Sequence, residues 1–87
     1  MYDVLVSHEA IKYYKKQDKD TKQRINKCIE NLSRGPLSGP HIKKLHGPLE
    51  GKLRYEVGDI RIIYRVNTGK KTVEIKAIRS RGDVYKR

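Results

Sequence analysis

The residues Gly58-Asp59 sit between two stretches in which apolar and charged side chains alternate in step. Before them runs Lys52-Leu53-Arg54-Tyr55-Glu56-Val57, and after them Ile60-Arg61-Ile62-Ile63-Tyr64-Arg65-Val66. A period of two means strands, and a short turn containing glycine means that the strands are antiparallel neighbours. If the turn holds Gly58 and Asp59 alone, Val57 pairs with Ile60. Glu56 then faces Arg61, Arg54 faces Ile63 and Lys52 faces Arg65. Successive side chains point to opposite faces of a sheet, so Leu53, Tyr55, Val57, Ile60, Ile62, Tyr64 and Val66 form one wall of a core. The other face carries Lys52, Arg54, Glu56, Arg61, Ile63 and Arg65, a patch dominated by cations.

The remaining elements arrange themselves around this hairpin. Tyr2 to Val6 is a short β-branched run that reads as a first strand. Ser7 can cap a helix whose first turn holds Glu9 and whose stripe holds Ile11, Tyr14 and Ala10. Asp20 and Gln23 have the spacing of a capping box and start a second helix. In it Ile25, Cys28, Ile29 and Leu32 recur at i, i+3, i+4 and i+7, and Gly35-Pro36 ends it. Residues 35–51 hold all three prolines and four of the seven glycines and read as a loop. Asn67 to Lys70 is a turn, and Lys71 to Ile78 is a last strand with Val73, Ile75 and Ala77 facing inward. Arg79 to Arg87 reads as a basic tail. The order β-α-α-β-β-β predicts one α+β domain over residues 1–87. A helical hairpin covers one face of a mainly antiparallel, four-stranded sheet and leaves the cationic face bare.

Charge narrows the partners. Lysine and arginine number 21 against 10 aspartates and glutamates, a formal net charge of +11 over 87 residues. That excess attracts polyanions, and its spread among periodic apolar residues argues against a disordered tail. No apolar run is long enough to span a bilayer and no signal peptide precedes the first strand, so no membrane is expected. The single cysteine excludes an internal disulfide, suits a reducing cytoplasm and falls on the apolar stripe of the second helix. No cluster has metal-ligand spacing, so neither metal nor cofactor is expected. His8, His41 and His46 are isolated along the sequence, and Lys15, Lys16, Lys22 and Lys27 read as solvated helix faces.

With these elements in place, the chain resembles the RelE/ParE superfamily of prokaryotic toxins from type II toxin–antitoxin pairs, and its RelE branch in particular. The likeness spans the whole chain. It is carried by the element order, by Lys52-Leu53-Arg54, by Gly58-Asp59-Ile60-Arg61-Ile62-Ile63-Tyr64 and by the ending Arg79-Ser80-Arg81-Gly82-Asp83-Val84-Tyr85. The segment Lys44-Leu45-His46-Gly47 also fits. The resemblance implies a cytoplasmic, metal-independent endoribonuclease that cleaves mRNA in the A site of a 70S-type ribosome. Its partners would be the mRNA, ribosomal RNA and an acidic, RelB-like antitoxin, through which the complex would bind operator DNA. The positions that match the branch's catalytic set are Lys52, Arg54, Arg61, Arg79 and Tyr85. Lys52, Arg54, Arg65 and Arg81 would hold RNA. Two positions depart from the branch: Arg54 stands where lysine is usual, and Ile78 replaces a basic residue before Arg79.

RNA cleavage by its own 2′-hydroxyl needs a base, an acid and positive charge for the developing phosphorane. Clustered cations lower a lysine's pKa, which makes Lys52 the candidate base. Arginine holds its proton, so Arg61 and Arg79 read as phosphate clamps, while Tyr85 could stack on a base or orient the hydroxyl. Two other functions share these features. One is a ParE-like, non-enzymatic poison of DNA gyrase, and the other is a non-toxic basic RNA-binding module.

Overall fold

The computed structural model describes residues 1–80. Strand β1 (Asp3–Val6) leads into helices α1 (His8–Lys15) and α2 (Lys19–Arg34). Strand β2 (Ile42–Lys44), a 3₁₀ turn (Gly47–Leu49) and strands β3 (Leu53–Val57), β4 (Ile60–Asn67) and β5 (Thr72–Ser80) follow. The sheet order is β1-β5-β4-β3-β2, with β1 parallel to β5 and the other pairings antiparallel. No helix of the described residues is long and apolar enough to cross a membrane.

The hairpin has the register that its alternation predicts. Val57 pairs with Ile60, Glu56 with Arg61 and Arg54 with Ile63. Gly58 has φ +60, the left-handed value that glycine adopts without strain at the first position of a tight hairpin turn. Leu53, Tyr55, Ile60, Ile62 and Tyr64 are buried on one face, together with Val73, Ile75 and Ile78 of β5. Against them pack Ala10 from α1 and Ile25, Cys28 and Leu32 from α2. The core therefore lies between the helical hairpin and the sheet. Tyr64, wholly buried, donates its hydroxyl to the Pro36 carbonyl at 2.6 Å and ties the segment after α2 to the centre of the sheet.

Both helices start on side-chain caps. The Ser7 hydroxyl accepts from Ala10 N at 3.1 Å and donates to the Lys76 carbonyl at 2.9 Å, which pins the start of α1 to β5. The α2 cap is Asp18, whose carboxylate accepts from Thr21 N at 2.8 Å, and not the expected Asp20. Asp20 lies within the first turn instead, where its charge complements the helix dipole. Ile11, assigned to the inner stripe of α1, is exposed; the short helix buries Ala10 in its place.

Two further differences bear on the cationic face. The sheet has five strands and not four, because Ile42–Lys44 pairs with Arg54 and its neighbours inside the segment read as a loop. The Leu45 amide donates to the Lys52 carbonyl at 3.0 Å and the Glu56 amide to the His41 carbonyl at 3.0 Å, so backbone bonding extends past both ends of this edge strand. Strand β5 also runs on through Arg79 to Ser80, and its register against β4 shifts between Ile63 and Tyr64. Tyr64 faces Ile75 while Ile63 faces Ala77, which leaves Lys76 as an extra residue. Such a bulge reverses the phase of alternation beyond it. Ile78 consequently turns into the core and Ala77 turns out, opposite to the simple pattern.

Candidate nucleic-acid interface

The outward face around the hairpin combines four strands. Lys43 of β2 lies opposite Arg54 of β3, and Arg54 lies opposite Ile63 of β4. One step along, Glu56 lies opposite Arg61, and Arg61 opposite Arg79 of β5. The Glu56 carboxylate is the centre of this group. Arg61 Nη2 donates to Glu56 Oε2 at 3.2 Å, and Arg54 Nε approaches Glu56 Oε1 to 3.4 Å. The second approach is an ion pair without hydrogen-bond alignment. Arg54 Nε is itself buried and has no hydrogen-bond partner among the described residues. The Arg61 hydrogen bond, aided by the charges of Arg61, Arg54 and Lys43, holds the Glu56 carboxyl below its usual pKa against the opposing effect of desolvation. Pro40, His41, Lys43, Arg54 and Glu56 line a shallow hollow of about 190 Å³ here.

The other expected site residues fall in different places. Lys52 lies just before β3, with its amide donating to the Leu49 carbonyl at 3.1 Å. It lines a separate hollow of about 390 Å³ with Leu37, Lys44, Leu45, His46 and Glu50. Arg65 is exposed on β4, and its guanidinium lies over Gly51, where an added Cβ would be 3.8 Å from Nη2. Arg65 therefore lies near Gly51, next to Lys52 in the chain, two residues or roughly 7 Å along the strands from Arg54.

Arg79 has its backbone beside Arg61, yet its guanidinium turns towards α1. It pairs with Glu9 at 2.6 Å, lies over the Tyr13 ring at 5.9 Å and donates to the Ile78 carbonyl at 2.7 Å. Glu9 and Arg79 are both more than half exposed, so this pair contributes at most about 1 kcal/mol and can be exchanged for another anion. Arg81 and Tyr85 lie outside the described residues.

Lys43 is the member of the face that sequence reasoning missed. Its strand has only three residues, within a segment rich in proline and glycine, and carries no periodic signal of its own. The pairing of Glu56 with Arg61 was legible from the turn, but its sharing with Arg54 was not. Cys28 is buried in the core; burial pushes its thiol pKa up, partly offset by Arg24.

Chemically, the face offers two guanidinium groups that reach the two oxygens of one carboxylate, an arrangement suited to an oxyanion. Fixed guanidinium groups of this kind bind a phosphodiester. They also stabilise the extra negative charge of a phosphorane more strongly than that of its ground state.

Comparison with known proteins agrees with this architecture. The model of a family described as the ParE toxin of the type II toxin–antitoxin system parDE matches residues 4–85. No curated protein sequence matches the chain. Among solved structures, a chain of the RelBE2 toxin–antitoxin complex from Mycobacterium tuberculosis superposes with a TM-score of 0.83 and 26% identity, covering 92% of this chain and 98% of that one. A chain of the archaeal RelE–RelB complex from Pyrococcus horikoshii gives 0.75 and 27%, covering 93% and 96%. The isolated E. coli RelE toxin shares the fold with a TM-score of 0.75 at 20% identity, covering 98% and 92%.

Proposed function

This chain belongs to the ParE toxin family of type II toxin–antitoxin systems, and we propose that within it the protein acts as an endoribonuclease that cuts mRNA in the ribosomal A site. The observation that carries the proposal is the outward convergence of Arg54 and Arg61 on the Glu56 carboxylate, with Lys43 on the neighbouring strand adding its charge. A phosphodiester placed there has its non-bridging oxygens held by guanidinium groups, and the 2′-hydroxyl attack proceeds against that fixed charge. Lys52, two residues before Arg54 and just ahead of β3, is the candidate base. Arg65 and Arg81 add contacts to flanking phosphates, Arg79 is a second clamp once released from Glu9, and Tyr85 is the candidate for stacking on or orienting the substrate. The machinery for moving protons is slight, so most of the rate must come from substrate positioning, which the ribosome would supply. A RelB-like acidic antitoxin would neutralise the toxin by covering this face, and would carry the complex to operator DNA.

One observation favours a second reading. The matching family model is named for ParE, so a non-enzymatic action on DNA gyrase shares the fold.

The test is to map mRNA 5′ ends by primer extension with and without ribosomes, for the wild type and for Arg61→Ala. Cuts inside translated codons should appear only with ribosomes and should fall by about 10²-fold in the variant. Growth arrest with intact mRNA would reject the nuclease and direct attention to gyrase supercoiling. Intact mRNA without arrest would leave a basic binding module.

A further inference from the structure

We propose that Glu56 is a built-in counter-anion: its carboxylate occupies, in the free protein, the place between Arg54 and Arg61 that a backbone phosphate of single-stranded RNA takes on binding, with Lys43 completing the site. The identity of the ligand rests on the RNA-directed reading above, and the anion site itself rests on the geometry.

Three features point the same way. Glu56 is shared between two strands' arginines, on its own strand through Arg54 and across the hairpin through Arg61. It satisfies them unequally. The bond from Arg61 Nη2 is aligned at 3.2 Å, whereas Arg54 Nε, 3.4 Å from the other oxygen, is buried without an aligned acceptor. A buried guanidinium N–H left in that state is a donor waiting for a better-placed oxygen. In this geometry the Glu56 carboxylate is aligned with Arg61 and leaves Arg54 Nε without an aligned acceptor. A tetrahedral phosphodiester splays its non-bridging oxygens and adds a third dimension of approach. The adjoining hollow, lined by Pro40, His41, Lys43, Arg54 and Glu56, provides about 190 Å³ beside the two arginines.

The displacement is feasible because the pair is weakly held. The Glu56 side chain is one-third exposed and that of Arg61 half exposed, so solvent already screens much of their attraction. On this account Glu56 lowers affinity for stray polyanions, which matters for a chain of net charge +11. It admits RNA only where other contacts hold the strand long enough to exchange one anion for the other.

The experiment measures binding of a fluorescein-labelled 2′-O-methyl RNA hexamer, which cannot be cut by its own 2′-oxygen, by anisotropy in the full chain without ribosomes. Glu56→Gln should bind about three- to tenfold more tightly than wild type at moderate salt. Its log–log salt dependence should steepen by up to about 0.7, one more phosphate contact on a single strand. Glu30→Gln removes the same charge from α2, where Glu30 pairs with Arg34, and should change affinity less than about twofold. The gain from Glu56→Gln should shrink to that control level in an Arg61→Ala background. Glu56→Thr, which suits a strand and carries no charge, should repeat the result if the glutamine variant folds poorly. Binding by Glu56→Gln and Glu56→Thr no tighter than Glu30→Gln, or a gain that survives Arg61→Ala undiminished, overturns the counter-anion. No cleavage is read, so that failure leaves the ribosome-dependent nuclease standing. Conversely, a gain dependent on Arg61 in a protein that cuts no mRNA would retain the anion site without the nuclease.

Discussion

Glu56 and Tyr64 show how one side chain's surroundings set its chemistry. Glu56 sits among Arg61, Arg54 and Lys43, and its carboxyl is held below its reference value of 4.5, chiefly by the hydrogen bond from Arg61. A carboxyl depressed in the folded state contributes stability that is fully present above its unfolded pKa. That contribution is lost as the pH falls through the lower, folded value. The pairing therefore persists at every pH above 4.5 and dissolves only in more acidic solution. A titration of the Glu56 carboxyl carbon by NMR should find a midpoint below 4.5 in the wild type and a rise towards that value in Arg61→Ala. An unchanged midpoint would mean that the two side chains are not paired in solution. Tyr64 is the opposite case. Burial raises the pKa of its hydroxyl far from the physiological range, so the group serves as a fixed donor to Pro36 and takes no part in proton transfer. Its core position could be read from the alternation, but the identity of its acceptor could not, because Pro36 lies 28 residues away.

Among the elements, α2 and the hairpin were legible because each carries its own period. Ile25, Cys28 and Leu32 are buried as their spacing requires, and the turn at Gly58-Asp59 sets the hairpin register without help from the rest of the chain. Strand β5 was only half legible. Its alternation is broken at Lys76, an extra residue accommodated by the bulge, and no local signal marks that residue as extra. Lys76 Nζ donates to Glu74 Oε1 at 3.1 Å, so the bulged side chain is tethered on the strand. The phase reversal makes a prediction that pattern alone would invert. Ile78→Ala should cost about 2–4 kcal/mol in urea denaturation, because it leaves a cavity beneath β5. Ala77→Ser should stay within about 0.5 kcal/mol, because that side chain points away from the core. Comparable losses at both positions would show that the strand does not bulge there. The bulge also matters for the outer face, since it sets Arg79 beside Arg61 and turns Ala77 out beside Ile63.

Across the whole molecule, charge and shape oppose each other. A net charge of +11 belongs to a chain whose described residues have a radius of gyration of only 12.5 Å. Mutual repulsion must lower stability at low salt, and the exposed ion pairs among the described residues are too well solvated to offset it. Raising NaCl from about 50 to about 500 mM shortens the screening length from roughly 14 to roughly 4 Å, so the thermal midpoint should rise. Each kcal/mol of repulsion removed corresponds to about 4–8 °C in a domain of this size. A midpoint that falls with salt, followed by circular dichroism, would show that the ion pairs outweigh the repulsion. The sequence by itself determined the α+β class, the helical hairpin, the register of β3 with β4 and the cationic sign of the outer face. All of these follow from local period, turn chemistry and composition. The tertiary structure alone decided that a three-residue strand brings Lys43 beside Arg54, that Glu56 is shared by two arginines and that Arg79 leans on Glu9. Those facts depend on contacts between residues distant in sequence or on the reach of long, flexible side chains. The exposed ion pairs among them are worth about a kcal/mol or less each, and none of these contacts leaves a periodic trace in the chain.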